Sequence, residues 1–170
     1  FAQYEAYMAA VRKAGEDALR YAAEKERRVI VLAGRPYHID PEICHGIDTL
    51  ATLLGCVVVS EDAIAHLSPA VHGIRVLNQW VYHSRLYRAA TLAANPESLR
   101  ETLGLTKIPQ MDVVQLVSFG CGVDAITTDE VRRILEEKGK FYTQIKIDEV
   151  SNLGAVKIRL RTLLAGSGNH

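Results

Sequence analysis

Cys121 stands between Gly120 and Gly122, just past an apolar run from Val113 to Val117. A thiol in that setting can act as a nucleophile, a redox group or a metal ligand. The flanking glycines leave room for a ligand or a second chain segment to come close. The competing reading is a small residue packed under a tight turn. No second cysteine lies at CxxC or CxxxC spacing, so a metal or cluster here needs ligands from elsewhere in this chain or from another domain. Cys44 and Cys56 read as core residues. Cys56 opens a strand whereas Cys121 follows one, which sets the two at opposite edges of a sheet.

Two further groups carry chemistry. In Gly34-Arg35-Pro36-Tyr37-His38, Arg35 offers a planar fork for carboxylate or phosphate. His38 could serve as acid, base or ligand near neutral pH. The plainer alternative holds Arg35 on loop carbonyls and Asp40, with His38 satisfied beside it. Asp148, Glu149 and Asn152 form the second group, at a strand end. They suit a cation or loop amides, and equally a cap for the following helix. Neither GxGxxG nor GxxxxGK[ST] occurs, so no nucleotide held by either loop is expected. His83, Arg85 and Arg88 share a segment with two tyrosines, a composition common on interdomain or subunit surfaces.

These residues need a scaffold, and the hydrophobic pattern supplies one. Val29–Ala33, Cys56–Val59, Val113–Val117 and Phe141–Ile147 read as four short strands, the first three apolar on both faces as inner parallel strands are. Helical periodicity runs over Tyr4–Arg27, with Tyr4, Tyr7, Met8, Val11, Ala14, Ala18, Leu19 and Ala22 on its apolar stripe. It recurs from Glu42 or Ile43 to Leu54, then over Trp80–Ala94, Asp129–Lys138 and Leu153–Leu164. Shorter helical turns fit Ala63–Leu67 and Pro96–Leu103. Thr127 or Thr128 is the expected cap of the helix after Cys121, Thr127 with Glu130 matching capping-box spacing. Gln115, inside the third strand, need not be buried.

Strands alternating with helices predict an α/β fold: an open, mainly parallel four-stranded sheet in the order 2-1-3-4, with helices on both faces. Ligands of such sheets gather at the carboxyl ends of the strands. That edge collects the loops Gly34–Asp40, Ser60–Asp62, Ser118–Asp124 and Asp148–Asn152.

Twenty basic residues balance twenty acidic ones, which gives no basic field for nucleic acid or anionic membrane. No membrane span or signal pattern is present. Three cysteines fit a reducing compartment and a cytoplasmic location. The opening Phe1 and the tail from Ala165 to His170 suggest excision from a larger protein. The expected organisation is a leading helix over 1–28, a single α/β domain over 29–164 and a flexible tail over 165–170.

The strings GRPYHIDPEI, NQWVYHSRLYRAA, SFGCGVDAITTDEV and IKIDEVSNLGAVKIRLRTLL resemble the carboxyl-terminal part of the large activators of 2-hydroxyglutaryl-CoA dehydratase. More distantly the chain is similar to the dehydratase subunits and related double-cubane reductases. The resemblance implies an ATPase module preceding this domain, and a dehydratase or reductase component as a further partner. It implies that Cys121, with Gly120 and Gly122 giving space, supplies one ligand to a [4Fe-4S] cluster in the full-length parent. It also matches Asp148, Glu149, Gly154, Arg159 and, in part, Arg161 to an acidic strand end and an arginine-bearing helix. One thiolate cannot hold a cubane, so the isolated chain is expected to carry no cofactor and no activity of its own.

Three functions follow as expectations. The first is a domain of an iron-sulfur electron-transfer or reductase-like protein presenting Cys121 at a domain interface. The second is a non-catalytic structural or interdomain interaction module. The third is a thiol enzyme acting through Cys121 and His38.

Overall fold

The computed structural model describes residues 2–69, 71, 73, 74, 81–118, 122–149 and 153–166. Strand β1 (Val29–Ala33) lies at the centre between β2 (Val57–Ser60) and β3 (Met111–Val117). Strand β4 (Thr143–Lys146) flanks β3, so the order is β2-β1-β3-β4 with every pairing parallel, as the sequence pattern predicts. Val31 sits level with Val59 on one side and Val113 on the other, and Leu116 level with Ile145. Every residue of β1 and β3 is buried, whereas β2 and β4 have mixed burial. Inner strands covered on both sides have no wet face to alternate toward, which is why their sequences run continuously apolar.

Two helical layers cover the sheet. Val29, Val31, Met111 and Val113 belong to a core completed by α1 (Ala2–Glu24), α3 (Glu61–Ile64), α4 (Val81–Ala94), α5 (Leu99–Leu103) and α6 (Gly122–Glu136). Ile30, Leu32, Val114 and Leu116 face the opposite core, built with α2 (Ile47–Leu53) and α7 (Leu153–Gly166). Helix α4 spans the crossover from β2 to β3 and packs on α6 and on both inner strands.

Helix α1 is part of the core. Leu19 and Ala22 are fully enclosed, and Gly15 abuts α3. A Cβ at Gly15 would stand 2.3 Å from the Ala63 carbonyl oxygen and 2.9 Å from the Ala63 Cβ. Gly15→Ala gains about 1 kcal/mol of helix propensity. Forcing two backbones apart in a packed core costs about 1–3 kcal/mol and sometimes more. A net loss of up to about 2 kcal/mol is expected in urea unfolding, and a higher midpoint would mean α1 does not lie this close.

Several boundaries and placements differ from the sequence reading. Tyr4, Tyr7 and Ala14, assigned to the apolar stripe, are exposed, the tyrosines at 61% and 63%; the buried line is Met8, Gly15, Leu19, Ala22 and Ala23. Helix α2 starts at Ile47 because His45 and Gly46 take positive φ of 53° and 76°, which breaks any helix begun at Glu42. Helix α6 begins at Gly122, so Thr127 and Thr128 are not caps. Their hydroxyls donate to the carbonyls of Asp124 (3.0 Å) and Ala125 (2.8 Å), one turn back within the helix. Gln115 is buried: its amide nitrogen reaches Thr127 Oγ1 at 3.4 Å and its carbonyl accepts from Tyr142 Oη at 3.1 Å. Among the described residues, no helix is long and apolar enough to cross a membrane.

Candidate functional site

The carboxyl ends of β1 and β3 carry a hydrogen-bonded clamp. Gly34 leaves β1, and the next residues turn through a short 3-10 helix, Pro36–Ile39. That turn folds His38 back under the strand ends, where it is fully buried. Only glycine fits at 34, because a Cβ there would stand 2.6 Å from His38 Nδ1 and 2.8 Å from the Leu116 carbonyl oxygen.

His38 is held at both ring nitrogens. The Arg35 backbone N–H donates to Nδ1 at 3.1 Å, and Nε2 lies 2.8 Å from Ser118 Oγ at the end of β3. With Nδ1 accepting that amide proton, Nε2 carries the ring proton and donates it to Ser118; with the proton on Nδ1, the Leu116 carbonyl accepts it and Nε2 accepts from the serine hydroxyl. In both tautomers His38 fixes the position of the serine hydroxyl. Burial pushes the His38 pKa below its ordinary value, and Arg35 adds to that, while the charges of Asp124 and Asp148 pull the other way.

Arg35 reaches beyond its own loop as well as within it. Its Nε donates to Asp124 Oδ1 at 2.9 Å, and Nη1 lies 3.3 Å from Tyr37 Oη. Asp124 sits in the first turn of α6, where a carboxylate also complements the helix dipole. Its second oxygen accepts the Ser118 backbone N–H at 3.1 Å. Arg35, Asp124, Ser118, His38 and Tyr37 thus close a ring that fastens the first rim loop to the third. The carboxylate that Arg35 meets is thus Asp124, on the third rim loop.

The remaining candidates stand as follows. Gly122 opens α6 with open space where a side chain would project. Asp148 is exposed in the turn after β4, close enough to act on His38 through its charge. Arg159 donates to the Gln144 carbonyl at 2.7 Å, bracing the edge strand rather than reaching the clamp. Gly120, Cys121 and Asn152, with the side chain of Glu149, lie outside the described residues. Cys44 and Cys56 are free and buried in the core under α2, with thiol pKa values pushed up by burial.

Helix α4 adds His83 and Arg85 near the rim. His83 is buried, packs edge-on to Tyr82 at 4.2 Å, and has its pKa lowered by burial and by Arg35. In the second rim loop Glu61 is buried at the start of α3, and its Oε2 meets no hydrogen-bond donor. Sequence reading passed over Ser118, Asp124, Tyr37 and Glu61 as individual site residues. Asp124, placed just after a strand and a glycine pair, was the one with a local signal.

No group of three or more His, Cys, Asp or Glu among the described residues could hold a metal ion. The described residues alone therefore do not fit an iron–sulfur cluster.

The fold and this clamp define a parallel α/β domain whose strand-end loops are tied together. Residues 1–64 match the family described as CoA enzyme activase uncharacterised domain (DUF2229). The match spans α1, β1, the Arg35–His38 turn, α2, β2 and α3, and supports a broad association with CoA enzyme activases; β3, β4 and Cys121 lie beyond it. No curated protein and no solved structure matches the chain.

Proposed function

We propose that this chain is a domain of a multidomain protein related to 2-hydroxyglutaryl-CoA dehydratase and its ATP-dependent activator. In the full-length parent, its carboxyl rim meets neighbouring domains, including an ATPase module, and a dehydratase or reductase component is the further partner. Cys121 supplies one ligand to a [4Fe-4S] cluster whose other ligands come from those domains. The observation that carries the reading is the match of residues 1–64 to a CoA enzyme activase domain. Supporting it, the clamp anchors Ser118 and Asp124, the residues on either side of the Cys121 loop, to the first rim loop. The location that suits this chemistry is the cytoplasm, and the working unit is residues 29–164 with the leading helix.

The second reading, a non-catalytic interdomain module, has its own support. Each clamp group already engages another member of the ring, which is what a structural joint requires. A thiol enzyme is the weakest reading, because both His38 nitrogens are engaged and none is open to take a thiol proton.

The deciding experiment uses the intact protein purified without oxygen. Visible absorbance and bound iron are expected, with Cys121→Ser losing most of both while Cys44→Ser and Cys56→Ser retain them. Unchanged iron in Cys121→Ser removes the ligand role, and an iron-free intact protein leaves the module reading.

A further inference from the structure

A cleft of about 550 Å³ opens between α1 and α4, on the side of the sheet away from α2 and α7. Its walls carry three guanidinium groups, Arg12 from α1 and Arg85 and Arg88 from α4. Arginines are normally satisfied by carboxylates or carbonyls. Here Arg12 and Arg85 have no hydrogen bond or ion pair among the described residues, and the Nε of Arg85 is enclosed without an acceptor; the acid whose charge Arg85 acts on, Glu61, is kept protonated by burial up to about pH 8. Arg88 donates once, from Nη2 to the Ser68 carbonyl at 3.2 Å, and its Nε is likewise enclosed and unpartnered. Arg85 and Arg88 are half-buried, and charged donors left short of partners there are costly unless an anion completes them.

The rest of the lining narrows the class of anion. Three separate forks on two walls exceed what one carboxylate can engage, whereas a diphosphate offers several oxygens on two centres. The volume falls within the roughly 300–1,000 Å³ of small-molecule sites. Glu5 and Asp62 also line the cleft, and carboxylates there can accept ribose hydroxyls. Tyr4, 61% exposed at the cleft, offers a ring for a base to stack on.

We infer that the cleft between α1 and α4 binds a nucleoside diphosphate group, with Arg12, Arg85 and Arg88 holding the phosphates. The group could belong to a free nucleotide or form part of a larger cofactor; both present the same diphosphate. The site lies apart from the clamp and does not depend on the cluster reading.

Calorimetric titration of the full chain with ADP, coenzyme A and inorganic pyrophosphate tests it. Saturable binding of ADP or coenzyme A is expected, with pyrophosphate competing. Arg85→Gln and Arg88→Gln should each weaken binding at least about tenfold, the loss of one charge-assisted contact. Arg12→Gln should weaken it too, and because Arg12 is exposed and unpaired its substitution leaves the fold intact, as circular dichroism will show. Lys157→Gln, on α7 across the sheet, should bind as the parent chain does. A stronger response to ADP marks a free nucleotide, and a stronger response to coenzyme A marks the larger cofactor. Absence of binding by all three probes, or equal affinity in the arginine variants, overturns the assignment. Cys121→Ser binding ADP normally keeps this outcome separate from that of the cluster.

Discussion

Above about pH 8, Glu61→Gln is expected to be more stable than the parent chain by about 3–5 kcal/mol, and below about pH 4.5 the two should be nearly equal. Burial raises the Glu61 pKa from 4.5 to about 8, the negative charge of Asp62 adds to this, and Arg85 opposes it. The folded chain therefore holds a proton that the unfolded chain releases between those two pH values. A state that binds the extra proton is favoured when protons are plentiful. Stability is full below about 4.5, falls as the pH rises, and is lost to the full extent once Glu61 must ionise in place above about 8. At roughly 1.4 kcal/mol per pH unit, that interval accounts for the size of the effect. Glutamine keeps the shape and removes the ionisation. Urea unfolding of both proteins across this range should show curves that diverge as the pH rises. Parallel curves would mean that Glu61 has another partner or reaches water.

Glu61 also shows what kind of residue the sequence hides. It follows Ser60 and precedes Asp62, so in one dimension it reads as a solvated turn acid. Its burial comes from α1 and α4, which pack on α3 from distant parts of the chain. The sheet was legible for the opposite reason. Val29–Ala33 and Val113–Val117 are apolar on both faces, and such runs have one stable place, between other strands with helices on both sides. The strand order then followed from the long segment between β2 and β3 and from the wetter character of β4.

Legibility falls off where partners are far apart in sequence. Arg35 has Asp40 five residues away but pairs with Asp124, 89 residues on. His38 meets Ser118, 80 residues on. Sequence reading placed all four loops at one edge, and the structure joins the first to the third there, but no periodicity could have matched individual side chains across them. The start of α6 was missed because threonines resemble caps. Helix α6 instead begins as soon as β3 ends, with Asp124 in its first turn. Tyr4 and Tyr7 continue a helical stripe, yet nothing covers them among the described residues, so pattern alone overstated the core.

Asp124→Ala should cost about 2–4 kcal/mol, because removing one partner strands the other inside. Both carboxylate oxygens receive donors, the Arg35 Nε–H and the Ser118 backbone N–H. The side chains of Asp124 and Arg35 are 10% and 24% exposed, so solvent can compensate only in part. Asparagine is a poor substitute: it offers one acceptor oxygen and turns an NH2 toward a second donor, so Asp124→Asn should recover less than half of the loss. Arg35→Ala leaves the carboxylate unmatched and should be similarly damaging. The double variant should lose less than the two single losses combined, because neither charge is then left alone. Strict additivity would show that the pair contributes nothing as a pair. Hydrogen exchange at the Ser118 amide gives a local readout: it should quicken in Asp124→Ala far more than at Val113, deep in the same strand. Equal quickening at both would mean that the whole sheet loosens. A selective effect ties the geometry of the third rim loop to one carboxylate reaching back to β1.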